Sequence, residues 1–454
     1  MNLILVAIDA CRGDHLHCNG YPRETSPNID ALAEEGITFT DVTPAWPYTA
    51  ISYTSMITGW YPFNHKMIAN PHGVHNANDF LLDEYIWSLA QVCLDSGYRT
   101  TSFDSLLSFW SHSKQFIRGY QHLFNPTTDS KGVSKSQLPA EAYIGEITHW
   151  LERFKDEKFF MFVHYWDTHQ PFVPPDQFKK WTGTEGWNLK TSADGVELYE
   201  GVGPKEKAED PGNLSKINAY DGEVLHADHY VGEIVKCLKE QGIYDDTAIL
   251  VTADHGELMV EGPVDSVKFC MTGTWHPTMN VPYVLRVPGV ESKVKVSDAL
   301  MHHVDIVPTA AEILGLEWPD VLDGESVLPI LRGEKEKLRD AVIGMGTYGH
   351  VPQRFIKTAD HKFMVNLRPE PYAEQLKRLE ESGWRILWPD PPKVELTDRK
   401  SDPEERKNLA EEKPQLAKKM SQLLDYELKA KMRGPDPFRE DQRERIWLGD
   451  SLWN

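Results

Sequence analysis

An α/β sandwich built on a mostly parallel sheet is the fold class this sequence predicts, and three observations predict it. Short apolar runs rich in β-branched and aromatic residues, "NLILVAID" (2–9), "KFFMFVHYWD" (158–167), "TAILVTAD" (247–254) and "VPYVLRVPG" (281–289), have the length and continuity of strands buried on both faces. Between two of them, residues 217–240 place Ile217, Tyr220, Val224, Ala227, Val231, Ile234 and Leu238 at helical spacing, one stripe turned to a sheet. Strand–helix–strand alternation of this kind stacks helices on a sheet. The 454 residues, 40% hydrophobic and with 14 Trp, suffice for one large domain and a smaller one.

Taken in order, "MNLILVAIDACRGD" has no basic leader and runs directly into charged residues, so it reads as a first core strand and not a signal peptide. It ends at Asp9. "PAWPYTAISYTSMITGWYP" (44–62) reads as a helix entering the core, with the hydroxyl of Thr49 at its start. Thr49 there is a helix cap, a nucleophile or both. Residues 126–139 and 176–216, rich in Gly, Pro and polar residues, read as surface insertions, the second long enough for a lid or a partner contact. The strands at 158–167 and 247–254 end at Asp167 and Asp254. In open α/β sheets ligands bind beyond the carboxyl ends of the strands. Asp9, Asp167 and Asp254 are therefore expected to converge on one edge, provided their strands run the same way. From about 335, "QRFIKTADHKFMVNL" and "KVELTDRKSDPEERKNLAEEKPQLAKKMSQLL" read as strands closed by a helix. The expected division is a catalytic domain over 1–335 and an α+β subdomain with its tail over 336–454. The acidic run 402–412 reads as a solvated helix face. The tail "DPFREDQRERIWLGDSLWN" carries two Trp that are expected to pack on the body or on a second copy, making a homo-oligomer.

Charge narrows the function. A formal net charge of −21 repels nucleic acid and anionic membranes at long range. It leaves room for a small anionic substrate, because one metal ion reverses the field inside a cleft. No run approaches the roughly 18 apolar residues of a membrane span. Five cysteines without CxxC spacing read as reduced thiols and a cytoplasmic location. "TADHGE" (252–257) sets Asp254 beside His255 at a strand end, an oxygen and a nitrogen ligand for one divalent ion or, alternatively, a turn whose Asp caps a helix. Asp9, also just past an apolar strand, favours the metal.

The stretches "NLILVAIDACRGDHLHCNGYPRETSPNIDALAEEGITFTDV", "MITGWYPFNH", "FVHYWDTHQPFVPP", "LVTADHGE", "VPYVLRVPG" and "HHVDIVPTAAEILGL" resemble the sulfatase branch of the alkaline phosphatase superfamily, in family order over nearly the whole chain. The resemblance implies an alkaline-phosphatase-like α/β sandwich with a smaller C-terminal α+β domain. It implies Asp9, Asp254 and His255 as metal ligands, and Thr49 at the nucleophile position, where it would also touch the metal. Ser52 falls on the signature serine and is expected to bind substrate. The signature C/S-x-P-x-R, however, reads Thr49-Ala50-Ile51-Ser52-Tyr53, without its proline and arginine. Sulfatases oxidise that Cys or Ser to formylglycine, for which threonine is not a substrate. The family's lysine and histidine after its GY-x-T segment fall at Ser105 and Leu107, and Ala10 stands where many sulfatases have a second Asp. Threonine nucleophiles belong to the phosphate-handling branches of the superfamily.

The same resemblance assigns His169 to the substrate or leaving group and leaves His164 as a packed core histidine. His276, five residues before Val281-Pro282, matches the spacing of a metal-binding histidine in the phosphatase branches, so Asp167, His169 and His276 form a tentative second metal site, with His169 and His276 as catalytic candidates. Lys268 is a candidate for the missing lysine, or a solvated one; Asn78, with Asn76, is a candidate for the pocket lining. Arg12 and Asp14 read as a structural ion pair. One or two divalent ions are expected, Zn²⁺ or Mn²⁺ before Ca²⁺ because His255 offers nitrogen. The expected reaction is hydrolysis of a small anionic ester, a phosphodiester or phosphonate monoester, through a phosphothreonine. The alternatives are a sulfuric ester hydrolase working without formylglycine, a phosphoryl transferase, and a non-catalytic relative.

Overall fold

A computed structural model of the chain describes residues 1–68, 82–106, 114–125, 138–192, 195–261, 268–348, 351–367, 391–434 and 436. The insertion at 126–137, the candidates Asn76 and Asn78, and the tail from 437 lie outside the described residues.

Eight strands form the central sheet: β1 (Asn2–Ile8), β2 (Ile37–Phe39), β3 (Arg99–Phe103), β4 (His122–Phe124), β5 (Phe159–Tyr165), β6 (Thr247–Thr252), β7 (Tyr283–Arg286) and β8 (Val296–Ser297). Their order is β8-β2-β7-β6-β1-β5-β3-β4. β1 lies between parallel neighbours, β6 and β5, and all of its residues are buried. A strand paired on both edges and covered on both faces has no side for polar side chains, so its sequence is continuously apolar and does not alternate. The strand expected at 281–289 is present as β7, but it runs antiparallel to β6 and β2. The chain leaves β6 at the carboxyl edge, builds a loop on that edge and re-enters directly, so no crossover helix is needed to keep the direction.

Two groups of helices cover the sheet. α1 (Pro27–Glu35), α3 (Glu141–Phe154) and α4 (Pro211–Glu240) pack on one another; α2 (Thr49–Thr58) packs with the helices at Leu89–Asp95 and Ile306–Leu314. The stripe read at 217–240 is buried along α4. The helix itself starts earlier, at Pro211, where Asp210 accepts from Gly212 N and Asn213 N. Proline at the first helical position lacks only an N–H that would have no partner anyway, so "DPGN" starts this helix and does not precede it as loop.

The insertion at 176–216 carries a small three-stranded sheet (Leu189–Thr191, Glu197–Tyr199, Gly203–Pro204) and is tied to the body through Arg23. The Arg23 guanidinium stacks 4.2 Å from the Trp187 ring and pairs with buried Asp221 at 2.6 Å. Beyond it, β9 (Ala341–Tyr348), β10 (Val351–Thr358), β11 (His361–Asn366) and β12 (Val394–Asp398) form an antiparallel sheet in chain order, packed against α5 (Pro414–Lys431). The acidic run 402–412 is not the solvated helix face its composition suggests. It is non-helical, and Glu404 and Glu405 are buried, the latter clamped by Lys362 Nζ at 2.7 Å. No helix among the described residues is long and apolar enough to cross a membrane, and all five cysteines are free of disulfides.

Candidate active site

Three neighbouring parallel strands, β6, β1 and β5, deliver the site. Ala7 of β1 is in register with Thr252 on one side and His164 on the other, so the segments after all three strands emerge on one edge. Asp9 N donates to Tyr165 O at 2.8 Å, fixing the turn out of β1. Ala10 then adopts φ 55°, a left-handed conformation held because Ala10 N donates to Asp254 Oδ1 (2.9 Å) and Ala10 O accepts from the Tyr220 hydroxyl (2.8 Å). Backbone strain of this kind persists only where the surroundings over-determine it. Gly256, next to His255, is required by close approach: a Cβ there would fall 2.0 Å from Pro277 O.

Asp9, Asp254 and His255, all fully buried, place one ligand atom each within 4.8 Å of one another. Asp254 Oδ1 is occupied by Ala10 N and His255 N, whereas Asp254 Oδ2 and Asp9 Oδ1 make no hydrogen bond. His255 Nδ1 lies 2.8 Å from Gly256 O, which assigns the proton to Nδ1 and leaves the Nε2 lone pair turned to the carboxylates. Two buried carboxylates with orphaned oxygens and one imidazole nitrogen are the donor set of a divalent cation, and the residues fit it. The two carboxylates crowd each other: burial and the charge of Asp9 push Asp254 up to about 6. Burial also opposes ionisation of Asp9, but His164, His169 and His255 outweigh it and hold Asp9 below the usual carboxylate range.

Thr49 joins this cluster. Its Oγ1 donates to Asp9 Oδ2 at 3.4 Å and lies 3.4 Å from His255 Nε2. It is the first residue of α2; the capping position is Tyr48, whose side chain caps nothing, so the cap reading of Thr49 is corrected. Ser52, one turn on, is fully buried and donates to the Asp254 carbonyl at 2.5 Å, with His303 Nδ1 3.0 Å away. Its hydroxyl is thus spent on the Asp254 backbone and His303 and not on substrate, which corrects the binding role expected for it.

His169 is half-buried on the rim, its ring edge-on to Trp166 at 5.3 Å, and its charge acts on both Asp9 and Glu257. His164, read as a core histidine, stands in the site: Nε2 lies 3.3 Å from Asp9 Oδ2. Its position within a strand hid it, since nothing in an apolar run says which residue is the last before the edge. Glu257 was also passed over, although it stands in the "TADHGE" motif. Burial pushes it up to about 7 while Gln170 Nε2, donating at 2.6 Å, works the other way. A carboxyl in that range exchanges a proton near neutrality. Gln170 also donates to the Phe269 carbonyl, and half-buried Lys268 sits beside that link.

The tentative second site is not assembled as expected. Asp167 meets Glu223 and His226 of α4, not His169 and His276. His276 instead hangs at the border with the C-terminal sheet, its N–H donating to Glu405 Oε2 at 3.1 Å and its ring pushed down to about 4 by burial despite Asp14 and Glu405. The spacing that suggested a metal ligand says nothing about strand direction, and β7 after it runs the opposite way. Arg12 does pair with Asp14 (2.7 Å) and also with Glu261.

A family model described as sulfatase matches residues 1–316, and one described as N-sulphoglucosamine sulphohydrolase, C-terminal, matches 271–363. An ulvan-active sulfatase of Formosa agariphila is 21% identical over 80% of this chain and 72% of its own length. An arylsulfatase of Clostridium perfringens is 23% identical over 80% of this chain and 85% of its own. Among solved structures, the phosphonate monoester hydrolase of Agrobacterium radiobacter superposes with a TM-score of 0.74 at 21% identity, over 94% of this chain and 95% of that one.

Proposed function

The chain belongs to the sulfatase family, an ester hydrolase family, and from that premise we propose that it hydrolyses phosphoric or phosphonic esters, a phosphodiester or phosphonate monoester first, with Thr49 as nucleophile. The observation that carries this reading is Thr49 Oγ1 standing 3.4 Å from both Asp9 Oδ2 and His255 Nε2, at the position where a sulfatase needs a convertible Cys or Ser.

Asp9, Asp254 and His255 would hold one divalent ion, Zn²⁺ or Mn²⁺ in preference to Ca²⁺ because of the imidazole nitrogen. When bound, the ion supplies positive charge that polarises the ester and acidifies a nearby hydroxyl. Thr49 attacks phosphorus as its hydroxyl proton passes to the Asp9 carboxylate that accepts its hydrogen bond: a P–Oγ1 bond forms, the ester oxygen leaves with the bonding pair, and a phosphothreonine results. His169 gives the departing oxygen its proton, and Lys268 is the candidate to bind the substrate's anionic oxygens. Glu257, pushed up to about 7, takes a proton from the water that releases the phosphothreonine. A sulfothreonine would lack the elimination route formylglycine provides, which turns the threonine towards phosphorus.

The second reading, a sulfuric ester hydrolase without formylglycine, is favoured by the sulfatase relatives. Initial rates on p-nitrophenyl phosphodiester, phosphonate, monoester and sulfate, after loading with Mn²⁺ or Zn²⁺, separate the two. Turnover of the phosphorus esters that disappears in Thr49→Ala is the expected result. Preferred sulfate turnover, or activity surviving the substitution, would sink the proposal.

A further inference from the structure

We propose that Asp167, Glu223 and His226 hold a second divalent cation, separate from the one at Asp9, Asp254 and His255, which clamps the loop bearing His169 to α4. Four features of the structure carry this. The three residues, none more than 6% exposed, offer one carboxylate or imidazole atom each within 4.8 Å of one another. His226 Nδ1 lies 2.8 Å from Asp167 Oδ1 and 3.6 Å from Glu223 Oε2. At 2.8 Å Asp167 and His226 pair by charge, but the alignment is poor: Asp167 Oδ1 and both ring nitrogens of His226 meet no partner in hydrogen-bonding geometry. The local charge is negative on balance: among the described residues neither carboxylate meets a lysine or arginine, and one imidazole, held up at about 9 against its burial by Asp167 and Glu223, stands between two buried carboxylates. Buried carboxylates without a matching cation are costly.

The remaining oxygens are already used to hold the ligands in place. Asp167 Oδ2 accepts from Ala140 N (2.9 Å), at the start of α3, and Glu223 Oε1 accepts from Val173 N (2.8 Å). One nitrogen and two carboxylate oxygens suit Mn²⁺ or Zn²⁺. A cation here joins α3, α4 and the segment from Asp167 to Val173, and His169 lies in the middle of that segment.

Equilibrium dialysis of the full-length, chelator-stripped protein against Mn²⁺ alone, with electron paramagnetic resonance of the bound ion, tests this. The wild type should bind two Mn²⁺ per chain, Asp9→Asn one, and Asp9→Asn/Glu223→Gln none. The Asp9→Asn protein decides by itself: if it binds no Mn²⁺, His226 is only an ion-paired histidine and the proposal is overturned, whatever the fate of the catalytic reading. One Mn²⁺ persisting in a folded Asp9→Asn/Glu223→Gln protein, checked by circular dichroism, would place the ion elsewhere and overturn it equally. Asp9→Asn/His226→Asn serves as the second ligand variant should the first fail to fold.

Discussion

At Thr49 a β-branched residue opens a helix beneath a pair of carboxylates, and the methyl and the hydroxyl have separable roles. Only the hydroxyl reaches Asp9 and His255. Thr49→Val keeps the volume and removes the oxygen, so it should lower kcat/KM on the preferred ester by about a thousandfold or more while leaving metal content unchanged. Thr49→Ser keeps the oxygen and should stay within about tenfold of wild type. Equal loss in both, with metal retained, would mean that this position shapes the pocket and performs no chemistry. The neighbouring histidine shows why residue-level reading has limits. Asp9, Asp254 and His255 were legible because each follows an apolar run and carries a ligand type; His164 has the same chemistry but sits one position inside the run, where only the register with Ala7 reveals that it reaches the edge.

Among the elements, α2 and α4 differ in how much of their role the sequence shows. α2 must present Thr49 at its first turn, and its far end is set by Gly59, which adopts φ 69° and donates to Ser55 O. An L-residue there is strained in the left-handed region, and a Cβ would fall 2.8 Å from Leu322 and 2.9 Å from Val307. Gly59→Ala should therefore destabilise the fold by about 1–3 kcal/mol, read as a lower urea midpoint. Activity per folded molecule should fall as well, because the helix cannot relax at one end without moving the other. A variant with wild-type midpoint and wild-type rate would show that the turn tolerates the side chain. In α4 the apolar stripe announced a buried helix, but Asp221, Glu223, His226 and Asp228 are buried too. Periodicity weighs apolar residues and is silent about these. Their partners are far off in the chain: Asp228 accepts from Asn28 N and Ile29 N to cap α1, and Asp221 binds Arg23 and His15. Contacts of such long range belong to tertiary structure and leave no local pattern.

For the molecule as a whole, the question is what holds the C-terminal sheet to the body that carries the site. The loop from Gly273 to Asn280 is stitched across: Thr274 N donates to Gln353 Oε1 at 2.9 Å, Trp275 Nε1 to Glu395 Oε2 at 3.2 Å, and His276 N to Glu405. A smaller sheet after the main one was legible from the strand patterns in the C-terminal third, whereas these links were not, because the acidic residues that make them read as surface. The charged link is Asp41, just after β2, which receives Lys357 of β10 and Arg399 beyond β12. Burial opposes the charge on Asp41, but Lys357 and Arg399 outweigh it and take the carboxyl down to about 2. Lys357, deeper still, is drawn down to about 8 by burial even beside Asp41, so the permanent charge of Arg399 is the surer partner. Because the folded carboxyl binds its proton more weakly than the unfolded one, its contribution is present above about pH 4 and is lost as pH falls towards 2. The shift is worth about 2 kcal/mol at neutral pH. Asp41→Asn should cost at least that at pH 7, leaving two cations facing each other, and its deficit against wild type should narrow as the pH drops below 4. Urea unfolding of both proteins from pH 7 to pH 3 measures it. A deficit that stays constant across that range would mean that Asp41 joins the two sheets by shape and hydrogen bonding, with its charge contributing nothing.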